Sequence, residues 1–126
     1  MRYLGIDWGK KRIGLAMADS ETKMAIPFRV VKNADEVIET VKEEQIEKII
    51  IGLPLTLSGQ NGETAKEAVK FADELKKKTA VTIEVIDERL SSREADALMK
   101  KNIGQERDAV SAMLILQNYL DQNQNE

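Results

Sequence analysis

The 126-residue sequence contains no cysteine and no histidine. The absence of cysteine excludes disulfides, thiolate nucleophiles and cysteine-rich zinc sites. The absence of histidine excludes Ser-His-Asp catalysis and histidine-based metal sites. If the chain is an enzyme, carboxylates are its expected catalytic groups. Carboxylate sites without His or Cys suit hard cations, so we expect any bound metal to be Mg²⁺ or Mn²⁺.

Long apolar runs are also missing, because none approaches the ~20 residues that span a bilayer. The opening residues, MRYLGIDWGKKR, show no signal-peptide core or cleavage site, which predicts a cytoplasmic protein that does not bind membranes. Nineteen basic and 22 acidic residues give a net charge of −3. This balance argues mildly against a nonspecific nucleic-acid coat protein but allows a local basic patch. The length predicts one domain, residues 1–121, with a disordered tail at 122–126.

Hydrophobic periodicity predicts three strands followed by alternating helices and strands. The predicted strands cover residues 3–9, 12–18, 26–31, 48–53 and 81–86. The predicted helices cover residues 33–45, 63–78, 91–101 and 106–121. Val69 is assigned to the apolar stripe of the second helix, together with Ala65, Ala68, Ala72 and Leu75.

The short polar turn between the first two strands predicts an antiparallel hairpin, whereas later strands reached through helices must be parallel. The predicted fold class is therefore α/β. Its mixed five-stranded sheet has an antiparallel meander of strands 1–3, then parallel strands 4 and 5, and helices flank it. The β-branched run at 48–53 is expected in the interior, parallel to the first strand. The following loop, 54–62, is either a mobile substrate loop or a plain connector.

Acidic residues are expected at one edge of this sheet. Asp7 lies in an apolar strand, where a carboxylate is costly to bury unless it is paired or metal-bound; a hydrogen-bonded turn aspartate is the alternative. Asp87 and Glu88 end the fifth strand, and their side chains should face opposite sides of the sheet. The alternative is that both are solvated residues at a strand end. Asp108 lies in the first turn of the last helix, where a favourable interaction with the helix dipole would by itself explain an acidic residue. It follows the apolar stripe, however, and could meet Asp7.

Converging carboxylates repel one another when ionised, and a divalent cation offsets that repulsion. Two cations about 3.5–4 Å apart would activate water and stabilise the leaving oxygen of a phosphodiester without His or Cys. Basic residues beside these acids predict a phosphate-binding path, although charge runs are usually solvated faces. They are Lys10, Lys11, Arg12, Arg89 and Arg93. Trp8 could stack on a base, but a strand Trp more often belongs to the core.

Four motifs follow one another along nearly the whole chain. They are Gly5-Ile6-Asp7-Trp8-Gly9 with Lys11-Arg12-Ile13-Gly14 and Ala16, Gly52-Leu53-Pro54 with Ser58-Gly59, Asp87-Glu88-Arg89-Leu90-Ser91-Ser92, and Asp108-Ala109 with Ala112. In this order they resemble the YqgF/RuvX family. That family has an RNase H-like fold related to RuvC-type resolvases. Its members are described as Holliday junction resolvases and as nucleases that mature the 5′ end of pre-16S ribosomal RNA.

The resemblance implies that Asp7, Glu88 and Asp108 form the catalytic, metal-binding site of a nuclease acting on structured nucleic acid. Processing of pre-16S ribosomal RNA is the main expectation, and resolution of branched DNA is the alternative. The chain has Ser91-Ser92 where the family commonly has two threonines, so a hydroxyl is kept. RNase H-like sites often have a fourth acid at the end of the fourth strand. This chain has no acidic residue there, so the number of metal ions that the site binds, one or two, is not decided by the resemblance.

Two other functions fit parts of the pattern. The Asp-x-Gly strand-turn also opens actin-like and sugar-kinase ATPases, but those need two such domains and this chain holds one. A non-catalytic ribosome-assembly domain could use the same basic residues to bind RNA. The sequence does not distinguish RNA from DNA as the substrate, or a monomer from a dimer.

Overall fold

The computed structural model describes the backbone of residues 1–54, 62–88 and 107–122, and the side chains of 1–52, 66–86 and 108–122. The strands are β1 (Arg2–Trp8), β2 (Ile13–Asp19), β3 (Ile26–Val31), β4 (Lys48–Pro54) and β5 (Thr82–Glu88). The helices are α1 (Ala34–Glu43), α2 (Gly62–Lys78) and α3 (Arg107–Gln122). The helix predicted at 91–101, most of the loop at 54–62 and the tail at 123–126 lie outside the described residues.

The five strands form one mixed sheet in the order β3-β2-β1-β4-β5. The β1–β2 and β2–β3 pairs are antiparallel, whereas β1–β4 and β4–β5 are parallel. This arrangement confirms the predicted α/β class, the hairpin over residues 3–18 and the interior position of the 48–53 run. Ile49, Ile50 and Ile51 are fully buried, as expected for a strand covered on both faces.

Each face of the sheet has its own apolar core. On one face, α1 and α2 pack over Leu4, Ile6 and Ile51. On the other, α3 packs over Ala16 and Ile50. Successive side chains in a strand point to opposite faces, so neighbouring residues such as Ile50 and Ile51 belong to different cores. None of the helices within the described ranges is long and apolar enough to cross a membrane.

The helices begin and pack for local reasons. Asn33 caps α1, because its side-chain Oδ1 accepts a hydrogen bond of 2.9 Å from the backbone N–H of Glu36. In α2 the buried positions are Ala68, Phe71, Ala72 and Leu75, spaced i, i+3, i+4 and i+7. The assignment of Val69 to this stripe is wrong: it is 45% exposed. It lies one residue, about 100° around the helix, from Ala68.

Trp8 belongs to the core under α1 and α2. Its ring lies 6.3 Å from the ring of Phe71 in α2, measured between centroids, at an interplanar angle of 43°. The side chain is partly buried and packs against the first core. Of the two roles considered for Trp8, packing is therefore the one that the structure supports.

Three glycines let α3 approach the sheet backbone. A Cβ built on Gly5 would lie 2.7 Å from the Cβ of Leu116, and one on Gly52 would lie 2.6 Å from the Cδ1 of Ile115. A Cβ on Gly14 would lie 1.9 Å from the backbone carbonyl oxygen of Asp108. These glycines lie on the neighbouring strands β1, β4 and β2. The helix is thus held directly against the sheet, which a side chain at these positions would prevent.

Candidate functional site

Asp7 occupies the penultimate position of β1, between two paired strands. Its Cα pairs with Gly14 in β2 and with Gly52 in β4. It lies two residues after Gly5, so it belongs to the face of the sheet that α3 covers. The backbone around Asp7 is therefore fixed on both sides by the hydrogen bonds of the sheet. Its half-buried carboxylate extends from this fixed backbone.

Asp108 approaches the same place from the helix. It is the second residue of α3, and its backbone carbonyl lies against Gly14, the cross-strand partner of Asp7. The Asp108 side chain is 34% exposed. Gly14 is thus the shared neighbour that brings Asp7 and Asp108 to one edge of the sheet. The sequence motifs include all three residues but assign a role only to the acids. A glycine inside a strand was the available signal of a close approach.

The backbone of β5 is described as far as Glu88, although the side chains of Asp87 and Glu88 are outside the described set. Asp87 pairs with Leu53 and Glu88 with Pro54. Ile86 packs against the core under α3. By strand alternation, backbone position 88 belongs to that same face of the sheet and position 87 to the other. The choice of Glu88 as a site residue stays a prediction.

The strand register also relates Glu88 to Asp7 along the sheet. Asp7 is level with Gly52, and Gly52 is level with Ile86. Position 88 lies two residues, about 6.6 Å, further along. No group of three or more acidic side chains suited to a metal ion occurs among the side chains that the structure describes. Asp7 and Asp108 are the two predicted ligands that fall within that set.

The basic residues of the β1–β2 turn form ion pairs on either side of this edge. The Lys10 Nζ lies 3.6 Å from Oε1 of Glu67 in α2. The Arg12 Nη1 lies 3.9 Å from Oδ2 of Asp108 in α3. Lys11 is exposed between them. Arg89 and Arg93, the other two predicted phosphate ligands, lie outside the described residues.

A second ionic cluster joins the start of β4 to β5 and α3. Lys48 Nζ donates a hydrogen bond of 2.5 Å to Tyr119 Oη and lies 3.0 Å from Oε2 of Glu84. The hydrogen bond with Tyr119, together with Glu84, raises the pKa of Lys48. Lys48 in turn lowers the pKa of Glu84. Burial raises the pKa of Tyr119. Through Tyr119, the cluster connects the last turn of α3 to β4 and β5.

The fold is that of the RuvC-type resolvases. RuvC from Thermus thermophilus matches with a TM-score of 0.67 over 99% of this chain and 97% of that chain, at 15% identity. The same enzyme in complex with a Holliday junction substrate gives 0.66 over 95% and 93%, at 16% identity. The Fowlpox virus resolvase with Holliday junction DNA gives 0.59 over 97% and 98%, at 10% identity. These matches show that the chain has the RNase H-like fold of RuvC.

Within that class, the chain belongs to the RuvX family. The family model, described as RuvX: Holliday junction resolvase, matches residues 1–122. A relative from Anaeromyxobacter sp. (strain Fw109-5) is 40% identical over 96% of this chain and 97% of its own length. One from Sulfurihydrogenibium sp. (strain YO3AOP1) is 42% identical over 95% and 90%. Both are named "Putative pre-16S rRNA nuclease". The resemblance noted in the four sequence motifs is confirmed.

Proposed function

We propose that this chain is a metal-dependent endonuclease that hydrolyses phosphodiesters at the 5′ end of pre-16S ribosomal RNA. The observation that carries the proposal is that Gly14 is both the cross-strand partner of Asp7 and the residue on which the Asp108 backbone packs, on a RuvC-type fold. The names of the relatives at 40% and 42% identity support the ribosomal RNA substrate. Holliday junction DNA is the second candidate, supported by the family description and by the RuvC complex.

The donor atoms at this edge fit a hard divalent cation. Asp7 and Asp108 offer carboxylate oxygens only, which are the ligands that Mg²⁺ and Mn²⁺ prefer. Position 88 lies on the same face, so Glu88 is proposed as the third ligand. When bound, the cation supplies activation of the attacking water and stabilisation of the leaving oxygen.

The residues of the chain hold the two carboxylates in place before substrate arrives. Asp7 is fixed by strands on both sides, and Asp108 begins a helix that lies directly on the sheet. Sites on rigid elements keep the geometry that catalysis needs better than sites on loops do. Lys10 and Lys11, in the turn that follows Asp7, are proposed to bind phosphates of the substrate next to the scissile one, together with Arg89 and Arg93.

The test is a parallel cleavage assay with Mg²⁺ or Mn²⁺. One substrate is a pre-16S fragment that carries its 5′ leader, and the other is a four-way DNA junction. We expect the RNA to be cut at the mature 5′ end, and the Asp7→Asn protein to bind it without cutting. Resolution of the junction with intact RNA would instead support the resolvase alternative. Binding of RNA with no cleavage of either substrate would indicate a non-catalytic assembly factor.

A further inference from the structure

The position of Arg12 makes it a neighbour of a proposed metal ligand. Arg12 directly precedes β2, whose second residue, Gly14, lies against the backbone of Asp108. The Arg12 guanidinium reaches to 3.9 Å from the Asp108 carboxylate. The Arg12 side chain is 74% exposed, so it is free to leave this position without disturbing the core. The backbones of Arg12 and Asp108 are thus held close to each other, whereas the Arg12 side chain can change its conformation.

We propose that Arg12 is an exchangeable counter-ion of Asp108. Without a divalent cation, the guanidinium offsets part of the repulsion between Asp108 and Asp7. A cation bound at Asp108 takes over that role and releases Arg12. The released guanidinium then binds a phosphate of the substrate, for which its planar pair of N–H donors is suited. This inference rests on the proposed function, because it assumes that Asp108 binds the metal.

The neighbouring lysine provides a contrast. Lys10 belongs to the same turn and carries the same charge, yet its partner is Glu67 in α2, which is not a proposed metal ligand. A cation at Asp108 therefore competes directly with Arg12 but not with Lys10. Binding of metal and of nucleic acid is then coupled through Arg12, and such coupling is reciprocal: each ligand raises affinity for the other by the same factor.

The first measurement is Mn²⁺ binding by calorimetry on the full chain without nucleic acid. The variants are Arg12→Gln, Arg12→Lys and Lys10→Gln. We expect Arg12→Gln to bind Mn²⁺ about two- to fivefold more tightly than wild type, the range that exposed ion pairs are worth. Arg12→Lys keeps the charge and should stay close to wild type. Lys10→Gln should change Mn²⁺ affinity much less than Arg12→Gln does.

The second measurement is affinity for a fluorescein-labelled pre-16S fragment, read by stopped-flow anisotropy before cleavage, with and without Mn²⁺. The gain in RNA affinity on adding Mn²⁺ should be smaller for Arg12→Gln than for wild type. Unchanged or weaker Mn²⁺ binding by Arg12→Gln overturns the proposal, as does an equal tightening in Lys10→Gln. If the wild-type protein binds Mn²⁺ but cuts neither substrate, the proposed nuclease function is wrong, whereas the exchange at Asp108 is not affected by that result. Wild type that binds no Mn²⁺ removes the metal site and the exchange together.

Discussion

Gly14 lies directly beneath the backbone of Asp108, and a Cβ at that position would come within 1.9 Å of the Asp108 carbonyl oxygen. Because Gly14 is also the cross-strand partner of Asp7, this contact sets the relation between the two acids. A backbone atom cannot turn aside as the end of a flexible side chain can. The whole first turn of α3 must shift to admit even one methyl group.

Substitution of that glycine should therefore damage the site more than the fold. We expect Gly14→Ala to lower the free energy of unfolding by about 1–3 kcal/mol, as overpacking does, and to reduce cleavage strongly well below its melting temperature. Gly5→Ala is the matched control, since its Cβ meets Leu116 two turns further along α3. It should be destabilised comparably while keeping more activity. Denaturant melts and cleavage rates of both variants measure the two effects. A fully active Gly14→Ala protein would contradict the prediction that this glycine sets the geometry of the site.

Removal of the Asp7 carboxylate should abolish the response to metal. A cation that binds only the folded protein stabilises it by RT ln(1 + [L]/Kd), about 2.7 kcal/mol at a hundredfold excess over Kd. We expect millimolar Mn²⁺ to raise the melting temperature of wild type and to have little effect on Asp7→Asn, which should also lose cleavage. Thermal melts with and without Mn²⁺ measure this. Equal shifts in both proteins would mean that the cation binds elsewhere.

The Lys48–Glu84 pair should give stability that depends on pH. Lys48 lowers the pKa of Glu84, so the pair stabilises the fold above the usual Glu pKa, about 4.3. That contribution is lost as pH falls through the lowered folded value. Because the Glu84 side chain is 45% exposed, we expect Glu84→Gln to cost only about 0.5 kcal/mol near neutral pH.

Urea melts of wild type and Glu84→Gln between pH 3 and pH 8 test this dependence. The difference between the two proteins should shrink at the acid end and in high salt, which screens exposed charges. Cleavage should be unaffected, since Lys48 begins β4, four residues before Gly52, the partner of Asp7. A difference that stays constant with pH would show that packing, not charge, makes the contribution.

Trp8 should behave as a packing residue rather than a stacking platform for bases. We expect Trp8→Ala to lower stability by about 2–3 kcal/mol, less than for a fully buried Trp, because the ring is only partly buried against Phe71. Trp8→Phe should keep the RNA affinity of wild type. Phe71→Leu, which removes the same ring contact from the other side, is the control for stability. A large loss of RNA affinity in Trp8→Phe at unchanged stability would assign the ring to the substrate.

The sheet order could be read from the sequence because each decisive signal is local. A short polar turn specifies the hairpin, and the β-branched run at 48–53 specifies a buried parallel strand. The burial of α2 was predicted less well. Val69 was assigned to the buried stripe because it is apolar. Its position around the helix places it outside that stripe and places Phe71 inside it.

The sequence singles out the residues of the candidate site but not their contacts. Asp7 lies in an apolar strand and Asp108 follows the apolar stripe of its helix, so both carboxylates are candidates for a role. The partner of Lys10, by contrast, is Glu67, a residue of another helix that no spacing rule connects to the turn. Gly14 signals that something approaches the strand closely, but only the packing of α3 shows that it is the backbone of Asp108.

The glycine contact also fixes when this protein can become active during its synthesis. Asp7 is synthesised about a hundred residues before Asp108 and the helix that carries it. Because α3 lies on β1, β2 and β4 together, the site requires long-range contacts that an incomplete nascent chain cannot make. The two acids can therefore be held at the same end of the sheet only after Asp108 and its helix have been synthesised and have packed on the three strands.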